Sequence, residues 1–334
     1  MPVKLTIIGL GKIGASAGLA LGAHPDKLVR TGHDRQPETA QKAKARSAVD
    51  RIDYNLPASV EGADAVLLAL PADQIRATLG FIAEDLREDV VLLDTSPIKT
   101  QVAAWVRELL PPGRHYVGLT PAFGPTGVQA EGSGLDAAQA DLFQGGLVAI
   151  AAPSGTPGEA VELAAGLVTL LGAKPYFADL AELDGLMATA HLLPQLAAAA
   201  LVETTTSQPG WGDTRKLAGR PYAAATEPVA AQDDPATLAA AALANRTNTV
   251  RALDGLIAAL QSLRGTLAEE DAAGLQSRLE AARQARLGWW QERSSGKWEA
   301  GSKNDLPRSG DIWNRQLGTS LSKLLRPPGR GKDK

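Results

Sequence analysis

The stretch Lys4–Gly14, with the sequence KLTIIGLGKIG, decides the fold of this chain. An apolar, β-branched run leads directly into a G-x-G-x-x-G pattern, and the alanine-rich residues 15–21 that follow have the composition of a helix. A strand, a glycine-rich turn and a helix in this order predict a dinucleotide bound across the first turn of an open α/β sheet. The alternative is a glycine-rich turn that holds no ligand.

Each glycine of this turn has a separate physical role. Gly9 allows a tight turn out of the strand, Gly11 lets the backbone approach a pyrophosphate, and Gly14 lets the helix pack closely on the strand. The free N–H groups at the helix start attract phosphate oxygens. We therefore expect cofactor contacts from Gly9, Gly11, Lys12, Ile13 and Gly14.

The second strand ends in an acidic residue, Asp34, about 20 residues after the glycines, as the fingerprint requires. Its carboxylate would accept hydrogen bonds from the adenosine ribose and repel a 2′-phosphate, which favours NAD over NADP. Arg35 and Arg30 keep NADP open, because a nearby arginine accommodates that phosphate. The alternative for Asp34 is a simple turn residue. Asp34 and Arg35 are thus predicted cofactor contacts.

The bulk properties exclude several classes of protein. The chain has 334 residues, 44% hydrophobic residues, a net charge of −3 and no cysteine. No basic field points to nucleic acid, and disulfides, thiolate catalysis and cysteine-bound metal are excluded. The start resembles a strand rather than a signal peptide, and the apolar run Leu192–Leu201 is shorter than a membrane span. We expect a cytoplasmic protein with no nucleic acid, membrane or metal partner.

Strand and helix signals alternate in the first half of the chain and predict an α/β Rossmann fold, a doubly wound and mostly parallel sheet. The predicted strands cover residues 63–71, 90–94, 115–119, 147–152 and 174–177, and the predicted helices cover 73–86, 99–110 and 159–171. Ligands bind at the carboxyl ends of such strands. This rule adds Leu70, Pro71 and Thr95 to the expected cofactor contacts.

An all-α domain is predicted from residue 179 onward, where strand signals stop. We expect helices at 180–203, with a kink at Pro194, and at 234–260 and 271–293. The predicted domains are 1–178 for the nucleotide, 179–300 for substrate and dimerisation, and 301–334 as a partly disordered extension. Residues 187–201 are apolar on nearly every face, which favours a homodimer through the helical domain over burial within one protomer.

Four segments together resemble the prephenate/arogenate dehydrogenases of tyrosine biosynthesis over about residues 4–300. They are DTSPIK (94–99), VGLTPAFG (117–124), ELD (182–184) with HLLPQ (191–195), and GWGDTRKLA (210–218). The resemblance implies an NAD(P)-dependent oxidative decarboxylation of a cyclic carboxylic acid. Hydride leaves the ring carbon that bears the hydroxyl, carbon dioxide departs, and the ring becomes aromatic.

The chain departs from the family where the proton is handled. Thr120 stands at the family's histidine, and Pro97 at its serine, with Ser96 one residue earlier. A threonine hydroxyl donates a hydrogen bond but cannot act as a base near neutral pH. The resemblance also implies a Ser-His-Leu-Pro-His segment. Alignment of its Leu-Pro with Leu193-Pro194 puts Leu192 and Gln195 at its two histidines and His191 at its serine.

His191 is the predicted substitute acid/base. His24 and His33 lie on the adenosine side of the cofactor in sequence order, and His115 begins a strand, away from its carboxyl end. The alternative for His191 is a hydrogen-bonded core histidine. Arg215 matches the family's substrate-carboxylate arginine, and its planar fork suits that role; an ion pair with a neighbouring acid such as Asp213 is the alternative.

Several further residues are candidates for the site or for structural roles. Ser96 and Thr95 either touch the nicotinamide or cap the following helix. We expect Lys99 on the surface, and we favour solvent exposure over a pocket position for Asn245 and Asn248. The pair Trp289-Trp290, near Arg286 and Arg293, is predicted to make an interhelical or dimer contact.

Three functions stay open at this point. The first is a prephenate/arogenate dehydrogenase-like enzyme. The second is a catalytically impaired relative that binds a dinucleotide and a carboxylate. The third is another Rossmann-plus-helical oxidoreductase, of the β-hydroxyacid dehydrogenase or imine reductase type.

Overall fold

One eight-stranded sheet forms the core of the N-terminal half. The computed structural model describes residues 2–231 and 234–296, and the spatial order of the strands is β3-β2-β1-β4-β5-β6-β7-β8. The strands are β1 (Val3–Ile8), β2 (Leu28–His33), β3 (Arg51–Ile52), β4 (Ala65–Leu68), β5 (Val91–Asp94), β6 (His115–Ala122), β7 (Leu147–Ala151) and β8 (Lys174–Phe177).

Helices cover both faces of this sheet. They are α1 (Lys12–Leu21), α2 (Pro37–Ala45), α3 (Leu56–Val60), α4 (Ala72–Ile82), α5 (Lys99–Leu109), α6 (Pro125–Gln129) and α7 (Gly158–Leu170). Side chains alternate across the strands, so Ile7 belongs to one buried apolar cluster and Ile8 to the other. The predicted Rossmann architecture, with its mostly parallel sheet, is confirmed.

Strand β7 departs from the parallel pattern. It pairs antiparallel with β6, so that Thr120 lies opposite Ala149, while β8 runs parallel to β7. The segment between β6 and β7 holds only the short α6 and one 3₁₀ turn, without the long crossover helix that a parallel neighbour needs. The chain therefore reverses direction at this edge of the sheet.

The second half is helical in the part that the structure describes. Its helices are α8 (Leu180–Met187), α9 (Leu193–Thr206), α10 (Trp211–Leu217), α11 (Arg220–Thr226), α12 (Pro228–Ala231), α13 (Pro235–Ala244), α14 (Arg246–Ala268) and α15 (Ala272–Ser295). The single helix expected at 234–260 is wrong, because Asn245 leaves the helical conformation and divides it. The extension expected at 301–334 lies outside the described residues.

A π-helical turn, Ala188–Leu192, joins α8 to α9 directly before Pro194. Proline lacks an N–H and its ring crowds the preceding turn, which explains the irregularity expected at this place. The resulting helix, Leu180–Thr206, has 27 residues and is long and apolar enough to cross a membrane. Length and composition alone are weak evidence for a span, because the core helix of a protein that does not cross a membrane meets the same criteria.

Candidate functional site

Of the three glycines in the glycine-rich turn, only Gly11 borders open space. Gly9 has a φ of +90°, and a Cβ there would lie 2.4 Å from the carbonyl oxygen of Ala69. A Cβ on Gly14 would lie 1.9 Å from the carbonyl oxygen of Gly9, whereas one on Gly11 would meet nothing within 4 Å. The close packing at Gly9 and Gly14 thus shapes the turn, and the backbone at Gly11 is open to a ligand.

The carboxylate of Asp34 lies beside this turn. It accepts hydrogen bonds from the backbone N–H groups of Leu10, at 2.8 Å, and Gln36, at 2.9 Å. Arg35 is exposed. Arg30 is 6% exposed and pairs with Asp50 at 2.6 Å, so the expectation that it accommodates a 2′-phosphate is wrong.

Lys12 connects the start of α1 to the segment that follows β6. Its ammonium donates hydrogen bonds to the carbonyl oxygens of Ala130, at 2.7 Å, and Gly132, at 3.2 Å. Partial burial lowers the pKa of Lys12. Ile13 packs against the core, and Leu70 and Pro71 are half-buried between β4 and α4.

A buried polar cluster occupies the carboxyl end of β5. The Lys99 ammonium lies 3.1 Å from both carboxylate oxygens of Asp94, and the Tyr116 hydroxyl donates to the same carboxylate at 2.5 Å. Ser96 donates to it through both its N–H and its hydroxyl. The backbone N–H of Thr95 donates to the carbonyl oxygen of Leu68 at 3.1 Å and ties β5 to β4.

This cluster corrects two expectations. Lys99 is fully buried rather than on the surface. Burial lowers the pKa of Lys99, although the negative charge of Asp94 acts to raise it. Ser96 does not cap α5, because its hydroxyl is directed to Asp94 and the N-cap residue of α5 is Ile98. Burial, together with the negative charge of Asp94, holds the pKa of Tyr116 well above its usual value.

Thr120 carries a buried hydroxyl with no hydrogen-bond partner among the described residues. The residue is 5% exposed and lies on β6, two residues before the strand ends. A buried hydroxyl without a partner costs about 1–3 kcal/mol, so such a group in a native fold calls for a partner from outside the chain. A bound ligand or water at Thr120 would supply it.

His191 and Gln195 lie one turn apart at the junction of α8 and α9. The Gln195 amide nitrogen donates to the backbone carbonyl of His191 at 3.2 Å and lies 3.3 Å from its Nε2. Gln195 is buried and His191 is half-buried, so both expected positions face inward to some degree. Leu192 is fully buried in the apolar cluster that includes Ile8, which suits a leucine at this position.

Helix α8 packs on β7, the strand that pairs with β6 and thus with Thr120. Leu183 packs with Ala149, the strand partner of Thr120. The structure thus brings the helix that leads to His191 onto the strands around Thr120.

Arg215 is exposed on α10, a helix with no buried residue. Its Nε donates to the carbonyl oxygen of Gly212 at 3.4 Å, and Asp213 pairs with Lys216 at 2.8 Å. The alternative of an ion pair with Asp213 is therefore wrong. Within one chain, Arg215 does not join the buried polar groups described above.

The burial of two residues in the helical half, Asn245 and Asp184, was not predicted from the sequence. Asn245 is buried, and the expectation of solvent exposure is wrong: its amide donates to the backbone carbonyl of Asp184 at 2.6 Å. Asp184 is buried as well, and an acidic residue in an apolar helix was the signal that could have found it. On α15, the guanidinium carbon of Arg286 lies 4.7 Å from the ring centroid of Trp289. Arg293, on the same helix, donates a hydrogen bond to the backbone carbonyl oxygen of Phe123 at 2.7 Å.

Among residues 2–231 and 234–296, no group of three or more histidine or acidic side chains could hold a metal ion. The candidate site consists of the open backbone at Gly11, the Asp34 carboxylate beside it, the buried polar cluster around Asp94, and the Thr120 hydroxyl, which has no partner among the described residues.

Two domain models of one family match the sequence of this chain. The nucleotide-binding domain of prephenate dehydrogenase matches residues 17–177, and the dimerization domain of prephenate dehydrogenase matches residues 180–281. The chain belongs to the prephenate dehydrogenase family. A cyclohexadienyl dehydrogenase from Zymomonas mobilis is 28% identical over 290 residues, which cover 85% of this chain and 94% of that protein.

Solved structures of the family share the fold. A prephenate dehydrogenase from A. aeolicus, in complex with hydroxyphenyl propionate and NAD+, superposes with a TM-score of 0.76 at 23% identity, over 86% of this chain and 98% of that one. A Synechocystis arogenate dehydrogenase gives a TM-score of 0.69 at 22% identity, over 86% of this chain and 100% of that one.

Proposed function

We propose that this chain catalyses the NAD-dependent oxidative decarboxylation of prephenate, arogenate or a closely related cyclic carboxylic acid in tyrosine biosynthesis. Membership of the family supports the reaction class. The buried Thr120 hydroxyl, which has no partner in the described chain, is the observation that carries the site assignment. It marks a place on β6 that a polar ligand completes.

The residues fit a dinucleotide. Gly11 leaves the backbone open to a pyrophosphate, and Asp34 holds a carboxylate at the ribose position. NAD, when bound, accepts the hydride. Since Arg30 is already paired with Asp50, Arg35 is the remaining candidate for a 2′-phosphate, and NAD is favoured over NADP.

We assign the acid/base role to His191, which accepts the proton of the substrate's hydroxyl group. Removal of the substrate's hydroxyl proton assists hydride loss from the same carbon, and Thr120 donates a hydrogen bond to the oxygen. When the C–C bond to the carboxylate breaks, its electron pair enters the ring, carbon dioxide leaves, and the aromatic product regains a proton on oxygen. Ser96 and Gln195 line the site in this proposal, and Arg215 binds a substrate carboxylate.

A homodimer through the helical domain is part of the proposal. The family's dimerization domain covers residues 180–281. Large apolar side chains of this region are exposed in the single chain, among them Leu217, Leu243 and Leu260. A second copy would cover such side chains. The cytoplasmic location expected from the sequence stays a prediction.

Purified protein incubated with NAD and either prephenate or arogenate tests the proposed reaction. We expect NADH absorbance to rise in step with release of carbon dioxide for one of the two substrates. When NADP replaces NAD, the absorbance of NADPH should rise more slowly. Tight NAD binding without turnover of either substrate would contradict the proposal and favour an impaired relative.

A further inference from the structure

A series of buried hydrogen bonds joins the nucleotide-binding half to the helical half beside the candidate site. The Asp184 carboxylate, on α8, accepts hydrogen bonds from the backbone N–H of Lys99, at 2.6 Å, and of Thr100, at 3.1 Å. These are the first two residues of α5, whose own N-cap residue, Ile98, provides no side-chain cap. Asp184 therefore caps a helix that belongs to the other half of the chain.

The connection continues in both directions from this cap. Lys99 uses its side chain to bind Asp94, which also accepts from Tyr116. On the other side, the Asn245 amide donates to the backbone carbonyl of Asp184. All five residues are at least nine-tenths buried. Breaking any link leaves a buried polar group without its partner, so the network favours one arrangement of the two halves.

Both ends of the network reach proposed reaction residues. On the sheet, Asp94 holds the hydroxyl of Ser96. On the helix, the buried face that begins at Asp184 continues through Leu192 to Gln195, and His191 lies between them. A shift of α8 against α5 would move His191 relative to β5 and β6.

We infer that Asp184 is a positioning residue, which sets the placement of His191 against the carboxyl ends of β5 and β6 by capping α5. Asp184 acts through this contact and not on the substrate. The kinetic part of the test rests on the proposed function. The measurement of cofactor binding does not rest on the proposed reaction, because the glycine turn and Asp34 lie in the other half of the chain.

The test compares three variants with the wild-type protein. Asp184→Ala removes the cap that crosses between the halves, and Asp184→Asn keeps the side-chain volume and one acceptor oxygen. Asp179→Ala is the matched control, because Asp179 caps its own helix, α8, by accepting from the N–H of Glu182 at 2.6 Å. Each alanine variant loses one aspartate cap, but only one of them loses the contact with α5.

We expect the kcat of Asp184→Ala to fall about 10- to 100-fold, since a misplacement of about 1 Å can cost that much. Asp184→Asn should lie between this variant and wild type, Asp179→Ala should keep the wild-type kcat, and the Kd for NAD should stay unchanged in all three. Equal kcat values for Asp184→Ala and Asp179→Ala would overturn the inference. So would a loss of NAD affinity that parallels the loss of kcat.

Hydrogen–deuterium exchange tests the network without any turnover. Exchange in the first turn of α5 and in α9 should be faster in Asp184→Ala than in the wild type and in Asp179→Ala, because the cap no longer holds α8 against α5. Equal exchange in Asp184→Ala and the wild type, or the same increase in Asp179→Ala, would overturn the inference. If neither substrate turns over, the proposed function fails while this result still decides on the network.

Discussion

The burial of Lys99 could not be predicted from the sequence. A lysine at a helix start is normally exposed. The ammonium of this one pairs with Asp94, which is near in sequence, but other bonds of the same network come from distant parts of the chain. The backbone N–H of Lys99 bonds Asp184, 85 residues away, and Asn245 bonds Asp184 across 61 residues. The packing roles of Gly9 and Gly14 were predictable because local backbone geometry dictates them.

Gly118 makes the burial of Lys99 possible. A Cβ at this position would lie 2.6 Å from Cδ of Lys99 and 2.9 Å from the hydroxyl of Tyr116. We expect Gly118→Ala to lower the free energy of unfolding by about 1–3 kcal/mol, because the side chains around it have no space to yield. Urea denaturation measures the change.

Gly80→Ala is the matched control for this substitution. Gly80 is exposed in α4, and a Cβ there would meet nothing within 4 Å. Alanine favours a helix over glycine by about 0.5–1 kcal/mol, so this variant should be as stable as the wild type or more so. A Gly118→Ala protein as stable as the control would show that the lysine pocket is not tightly packed.

At the scale of elements, strands were predictable and their directions were not. Apolar runs bounded by turn residues mark β4, β5 and β7, but nothing in the run of β7 records that it pairs antiparallel with β6. The break at Asn245 was missed because no glycine or proline lies next to it, and a buried hydrogen bond places that residue. Helices α10 and α11 were missed because they bury no residue in the single chain and so show no apolar stripe.

The whole molecule leaves apolar side chains uncovered in its helical half. Residues 187–201 were expected to be buried on most sides, yet only 22% of the most apolar window of Leu180–Thr206 is buried within one chain. A second copy, as the family's dimerization domain implies, would cover these side chains.

We therefore expect light scattering at micromolar concentration to give twice the 34.7 kDa mass of one chain. Burial of the exposed leucines in a shared interface would stabilise this dimer. A monomer under these conditions would contradict the proposed assembly.

In the proposed function the two halves together perform the family's reaction, with His191 in place of the histidine that the resemblance implies at position 120. The most direct test is the kcat of His191→Ala with NAD and the substrate that the wild type turns over, with His24→Ala as the matched control. We expect His191→Ala to lose about 100-fold or more, the range of general acid–base catalysis, while His24→Ala retains the wild-type value. Full turnover by His191→Ala would contradict the account.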